Sequence, residues 1–405
     1  MRFVLSCFLL ALLLTSFANA TDTRVISLGG PVPYIYDEIN VFGNPGLMSN
    51  FSKRVVLELG SHTSGLMALP TTSGVTSTQN GYAFLPLMGD KFYIGVAGLR
   101  HMDDFDNIEL PSDLEAPDNS VDLLFSGLMG DLGIGLGIHR ASNFEKVEQT
   151  SPQQTITKKT SAMGITVGAA MNTDEEPIFD AALNVTMNSF KDETKNSTTT
   201  SRESEGGMSI SLYARSFLPL GESKFVPALE FWTFSYKDVS KNGGTTTKNS
   251  ENSQMEFRVG TGLMLNVLGG FIMPGARIIY AKSKTEISDQ TEEQTALVLP
   301  ELYLGIEVPV KDYLSIRCSY RRAFGRFNTK VTLESEDGEE TKTSQDWASA
   351  GMEPELISLG VGLRLFDGKV TIDASIEENT FIDGTYILSG IEGPLLGKVS
   401  IGINY

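Results

Sequence analysis

The sequence predicts an all-β chain: a transmembrane antiparallel β-barrel of about 14–16 strands, with an N-terminal segment folded into its lumen. Three observations predict it. Apolar residues alternate with polar or glycine residues along most of the chain, short and long connections between these runs alternate, and a secretory leader precedes them.

Composition frames the reading. Of 405 residues, 41% are hydrophobic and 20% charged, with 40 Gly and a mean hydropathy of -0.05, so the chain is neither disordered nor a helical membrane protein. The formal charge of -18 and a pI near 4.7 argue against nucleic acid as a partner, because phosphate binding needs a clustered basic surface. There are 3 His and 2 Cys. Cys7 lies in the leader, which leaves Cys318 with no disulfide partner and excludes a Cys/His zinc site. No cofactor and no metal site are expected.

Residues 1–20 read as a signal peptide. Arg2 supplies the positive start, Val4 to Leu14 the apolar run, and Ala18-Asn19-Ala20 the small-x-small cleavage site, followed by Thr21 rather than a lipid-bearing Cys. The apolar run is too short for a comfortable membrane span. Cleavage near Ala20 and residence in the cell outer membrane of a Gram-negative bacterium are expected, with residues 21–52 forming the luminal segment and 53–405 the barrel.

The strands follow from period two. Val55, Leu57 and Leu59 alternate with Arg54, Glu58 and Gly60. Phe179 to Met187, Phe257 to Leu265 and Val370 to Ile376 repeat the pattern. Short turns are expected at 88–90, 130–131, 173–176, 220–222, 269–270, 311–312 and 367–368. Long polar connections are expected near 62–78, 103–120, 146–157, 192–203, 239–251, 284–295, 333–351 and 379–395. A soluble sandwich has no reason to place all its long loops at one end, whereas an outer-membrane barrel does. A count gives about sixteen strands with both termini at the short-turn end. Runs such as 204–219 and 311–332 exceed the ~10 residues that cross a bilayer at a tilt, and should project as a β-rim. The last strand, with Val399, Ile401, Ile403 and Tyr405 on one face, resembles the terminal signal read by the barrel assembly machinery.

Residues 21–52 do not alternate. Val25, Ile26, Leu28, Tyr34, Ile35, Tyr36, Val41 and Phe42 are too apolar for a solvated tail, and the lumen is the cavity that can bury them. Leu28-Gly29-Gly30, Asp37-Glu38 and Asn44-Pro45-Gly46-Leu47 follow one another in this stretch. In that order and spacing the segment resembles the N-terminal hatch of the FadL-type outer-membrane transporters for hydrophobic compounds and of the related PorV-like barrels. It departs from their pattern in Gly46, where Ala is usual, and in Pro31 and Pro33. The resemblance implies a hatch-plugged barrel that moves or binds small molecules. Pro45 fixes its own φ and Gly46 can accept a left-handed turn, so residues 44–47 are expected to form a rigid bend.

With the apolar parity toward lipid, charges fall on the luminal parity, because a charge at the lipid midplane costs about 2–4 kcal/mol. The luminal basic residues are Arg215, Arg258, Arg277, Arg317, Arg321 and Arg364. The acidic ones are Glu58, Asp180, Glu230, Glu256, Glu301, Glu307, Asp373 and Glu377. Arg258, Arg277, Arg317 and Arg321 lie on neighbouring strands. They form either an anion-attracting constriction or a set of ion pairs bracing the wall against the hatch. Asp37-Glu38 is expected to meet one of these four arginines.

Catalysis is not expected. His101-Met102-Asp103-Asp104 has no second Asp/His cluster to complete a base and its orienting group, since His62 lies in a loop and His139 stands on the glycine face of Gly133, Gly135 and Gly137. The acidic loop 103–120 places Asp104, Asp106 and Glu115 at calcium-loop positions. It fails as such a loop at Ile108 and at Glu109, where glycine is needed.

The expected function is passage or binding of small solutes, hydrophobic or amphipathic ones included, gated by the hatch. The alternative is a non-transport barrel anchoring a secretion or surface-attachment system. Expected partners are outer-membrane lipid and lipopolysaccharide, the assembly machinery through the strand ending at Tyr405, and a small-molecule solute.

Overall fold

Period-two alternation becomes one continuous antiparallel sheet. The computed structural model describes residues 22–29, 33–64, 74–89, 91–100, 110, 114–117, 119–150, 153–172, 177–288, 290–334, 340–377 and 397–405. The first half of the sheet contains β1 (Arg54–Ser64), β2 (Gly74–Leu87), β3 (Phe92–Gly98), β4 (Asn119–Met129), β5 (Leu132–Thr150), β6 (Gln153–Asn172), β7 (Pro177–Lys195) and β8 (Thr199–Ser216). The second contains β9 (Leu218–Leu220), β10 (Ser223–Asn242), β11 (Thr245–Val267), β12 (Gly270–Ile287), β13 (Gln290–Lys311), β14 (Leu314–Glu334), β15 (Glu340–Leu365), β16 (Val370–Glu377) and β17 (Gly397–Asn404). β8 and β9 both pair with β10 and are two pieces of one stave interrupted at Phe217, so the barrel has sixteen staves. It closes through β1, where Arg54 lies opposite Phe84 on one side and Asn404 on the other. Closure leaves no lipid-facing sheet edge.

The two faces of each stave separate by chemistry. On β1, Leu57 and Leu59 are 54% and 62% exposed while Glu58 between them is fully buried. The same split holds on β4 from Asn119 to Ser126, on β5 up to Ala141, and on β17. Outward residues such as Phe125, Leu136, Ile165, Leu183, Val259, Leu302 and Leu359 form an apolar surface spread around the wall. An apolar surface of that extent has no place in water and suits lipid. Among the described residues no helix is long and apolar enough to cross a membrane, and the crossing is made by strands.

The described short turns lie at one end, with Gly130 and Gly221 adopting left-handed φ of 64° and 65°, and the expected turn at 173–176 lies outside the described residues. At the other end the structure corrects the expected long loops. Within 146–157, 192–203, 239–251, 284–295 and 333–351 the described residues belong chiefly to the upper parts of paired strands: Thr150 pairs with Gln153, Lys195 with Thr199, Asn242 with Thr245, Ile287 with Gln290 and Glu334 with Glu340. Gly243 and Gly244, both at positive φ, close the β10–β11 hairpin in two residues. These runs read as loops because they are polar, but a strand above the bilayer needs no apolar outer face. Neighbouring strands there exchange charge instead, as in Lys241–Glu203, Lys248–Glu286 at 3.4 Å and Lys282–Glu293 at 3.6 Å. Lys191 and Lys195 hold the Glu193 carboxyl below the usual carboxylate range. Staves β10 to β15 run 18–26 residues, well beyond what a tilted bilayer crossing needs.

The leader, Gly30 to Val32, His101 to Asp104, most of the acidic loop and residues 378–396 lie outside the described residues. Of the acidic loop, Leu114 is buried in a cluster with Ala141, Ala162, Phe190, Phe234 and Tyr236, and Glu115 accepts from Asn143 at 3.1 Å.

Candidate functional site in the barrel interior

The N-terminal segment lies against the inward face of the wall. It contains α1 (Asp22–Ser27), α2 (Asn40–Gly43) and a 3-10 helix (Pro45–Phe51). α1 packs on β14 to β17 and β1, and the 3-10 helix packs chiefly on β4, β5 and β6, so the chain crosses the lumen between two walls. Two apolar clusters hold it. Val25, Leu28, Tyr34 and Ile35 pack with Phe217, Val226, Met273 and Tyr303. Val41, Phe42, Leu47, Met48 and Phe51 pack with Val56, Tyr82, Phe84, Tyr93 and Leu124.

Small residues on the wall make the approach possible. Tyr34 lies over Gly260, Gly262 and Gly275, and its hydroxyl donates to the Ala276 carbonyl at 3.1 Å. Pro45 sits on Gly135, where any Cβ would collide with it. Asn44 caps the 3-10 helix: its Oδ1 accepts from the Gly46 N–H at 3.0 Å, and its Nδ2 donates to the Ala169 carbonyl at 3.0 Å. The glycine face visible in the sequence at Gly133, Gly135 and Gly137 is therefore a docking floor. His139, on the same face, contacts Thr186 Oγ1 at 3.1 Å.

Gly46 departs from expectation. It is absent from the residues with left-handed φ, and a Cβ there would lie 2.8 Å from the Gly133 carbonyl oxygen. Close approach to the wall, not turn geometry, requires glycine. Gly29 does adopt positive φ, at 101°, against Tyr303 and Ser319, and the Tyr303 hydroxyl donates to the Leu28 carbonyl.

Charge is arranged in two layers. The layer nearer the short turns fastens the segment: Arg24 bonds Asp37 at 3.0 Å and Glu307 at 2.7 Å, and Arg317 bonds Glu307 at 3.0 Å and Asp373 at 2.5 Å. In the same region Arg54 pairs with Glu38 at 2.6 Å, the Tyr82 hydroxyl donates to Glu38 at 2.9 Å, and Lys398 lies 3.4 Å from Glu58. The layer on the outer side contains Arg258 on Glu256 and Glu230, Arg277 on Glu301 and Glu230, and Arg321 at 3.7 Å from Glu301. Between α1 and α2, Arg215 is paired with Asp180 at 2.8 Å. It also donates to the Pro33 and Ile35 carbonyls at 2.9 and 2.8 Å and to Asn40 Oδ1 at 3.0 Å.

All four predicted arginines, with Glu230, Glu256 and Glu301, carry their side chains into this interior. The expected contact of Asp37-Glu38 with those arginines is corrected. Asp37 takes Arg24 from its own segment, and Glu38 takes Arg54 at the start of β1. Sequence reasoning also missed Lys398, although it shares the inward parity of Ser400.

Together these features define a class: a sixteen-stave outer-membrane β-barrel with a polar interior occupied by its own N-terminal segment. No protein-family model matches the chain, and no curated protein matches it. Solved structures similar to it include a Pseudomonas aeruginosa FadL homologue, with 12% identity over 96% of this chain and 99% of that chain and a TM-score of 0.44. The deltaS2S3 mutant of the monoaromatic hydrocarbon channel TodX matches at 9% identity over 95% and 97%, with a TM-score of 0.35. The alcaligin outer-membrane receptor FauA of Bordetella pertussis matches at 8% identity over 87% and 75%, with a TM-score of 0.37.

Proposed function

We propose that the protein mediates passage or binding of small solutes in the cell outer membrane, with residues 21–52 as a hatch across its lumen. The observation that carries this reading is the way the segment is held. It crosses between two walls, and much of its fastening to them consists of ion pairs and of hydrogen bonds that a side chain makes, groups that water can also satisfy. A barrel of this stave number encloses an interior that side chains of the wall alone do not fill. A removable occupant would therefore set what passes. Under the same reading the leader is cleaved near Ala20, and β17, ending at Tyr405, engages the assembly machinery.

Planar-bilayer recording tests it. Deleting residues 22–48 behind an intact signal should leave a heat-modifiable barrel with larger and steadier conductance than the parent. In the full-length chain, Arg215→Gln should give more frequent openings. A deleted protein that folds, inserts and conducts no more than the parent would sink the hatch reading.

A further inference from the structure

The outer ionic layer is incomplete at one residue. Arg321 is 1% exposed, yet its Nε, Nη1 and Nη2 have no hydrogen-bond partner. Its nearest carboxylate oxygen, Glu301 Oε1, is 3.7 Å from Nε, and that same oxygen accepts from Arg277 Nη2 at 3.2 Å. Arg317, on the same strand and face, is different, because Glu307 and Asp373 bind it directly. Bracing therefore explains Arg317 and leaves Arg321 unexplained. A guanidinium carries five N–H donors, and burying them without acceptors is costly.

Arg321 pairs across the ladder with Tyr303, whose hydroxyl holds the Leu28 carbonyl, so the guanidinium lies beside the segment on the outward side of the Arg317 layer. The segment's Tyr34 reaches the same layer, over Gly260 beside Arg277. The sign and number of charges narrow the ligand. Arg258, Arg277 and Arg321 stand against Glu230, Glu256 and Glu301 in this layer, which therefore has no excess positive charge for a dianion, whereas a planar two-oxygen monoanion matches the Nη1/Nη2 fork.

We propose that Arg321 is a luminal docking site for a small carboxylate monoanion. The proposal rests on the lumen admitting solutes and names one class it takes. Ligand-observed NMR on the full-length protein in detergent tests it, with sodium [13C]acetate as probe and acetamide, inorganic phosphate and methylammonium as comparisons. Acetate should bind saturably and the three others much more weakly. Arg321→Gln should weaken acetate at least about tenfold, the loss expected for charge-assisted hydrogen bonds. Glu301→Gln should tighten it by removing a competing carboxylate, and Lys311→Gln, an exposed charge control, should leave it unchanged.

Folding of each variant is checked by heat-modifiable migration. Should Arg321→Gln fail that check, Arg321→Lys and Glu301→Gln carry the comparison, with weakening and tightening expected respectively. Absence of saturable acetate binding to the parent overturns the proposal. So does acetamide binding equal to acetate, or a folded Arg321→Gln or Arg321→Lys protein that binds acetate as the parent does. Acetate binding that depends on Arg321 in a protein whose deletion of 22–48 changes no conductance would retain this site and sink the hatch.

Discussion

Arg215→Gln is the sharpest single perturbation of the segment. The side chain makes three hydrogen bonds to it, through the Pro33 and Ile35 carbonyls and Asn40 Oδ1. Hydrogen bonds to a charged group contribute about 1.5–3 kcal/mol each, and water in the lumen favours the low end. Their joint loss is then about 4 kcal/mol, roughly a thousandfold in the ratio of docked to undocked segment. Val41, fully buried in the docked state, reports that ratio when replaced by Cys in a Cys318→Ala background. Its labelling by a water-soluble maleimide should accelerate by two to three orders of magnitude, on the order of that energy. The variant also leaves Asp180 without its cation, so Arg215→Gln with Asp180→Asn is the needed control. Labelling unchanged within about threefold, well inside what one such bond would give, refutes the reasoning. A double variant that returns to the parental rate shows that the stranded carboxylate, not the lost grip on the backbone, produced the effect.

Gly168→Ala places a Cβ against Asn44 Oδ1, and overpacking of about 1–3 kcal/mol should speed Val41→Cys labelling about ten- to a hundredfold. Adding Asn44→Gly should relieve part of that, and a Gly168→Ala rate equal to the parent's would contradict the docking floor. Cys318 lies between the exposed Ile316 and the partly exposed Tyr320 on the outward parity, so it should resist water-soluble maleimides in membranes. Ser319→Cys in a Cys318→Ala chain should react faster once Arg215→Gln loosens the segment, and the opposite labelling pattern would reverse the faces of β14. On the rim, Glu193 and Glu286 have carboxyls lowered by bonds from Lys191 and Lys195 and from Lys284 and Lys248. Lowered folded values mean stability present above the ordinary carboxylate range and lost as pH falls through the lowered values. Intrinsically corrected amide exchange at these hairpins should be less protected at about pH 3 than at pH 6, and equal protection would refute the ladder.

The wall was legible because its two solvents differ. Lipid outside makes Leu57 and Leu59 apolar and forces Glu58 inward, so parity alone places Arg258, Arg277, Arg317 and Arg321 in the interior. Pairing was less legible. Asp37 meets Arg24 because α1 and the following turn bring them together, a contact thirteen residues apart that follows no period of helix or strand. Gly46 was visible as a glycine but not as a contact, since its reason is the carbonyl of Gly133 on a distant stave. The tall hairpins read as loops in the sequence because a polar strand has no apolar face to mark its period. Above the bilayer the alternation that marks a strand is no longer apolar against polar, and the remaining signal is opposite charges at cross-strand positions such as Lys248 and Glu286.

The two apolar clusters of the segment are not independent, and this decides which contact governs it. Tyr36 and Ile39 pack against both, linking the cluster around Leu28 and Tyr34 to that around Val41 and Leu47. Arg215 grips the backbone at Pro33 and Ile35 and the side chain of Asn40, on either side of that link, while its guanidinium lies 5.1 Å over the Phe217 ring. Arg24 ties the first cluster to β13, and Asn44 ties the second to β6. Loss of either would free one end while the joint still held the other. Loss of Arg215 loosens the joint itself, so both clusters lose their common register on the wall. The apolar contacts draw the segment into the lumen, and the polar ones determine whether it sits there as one rigid piece. If the segment acts as the proposed hatch, its undocking need not unfold the barrel, because Asp180 and Arg215 belong to the wall and stay with it.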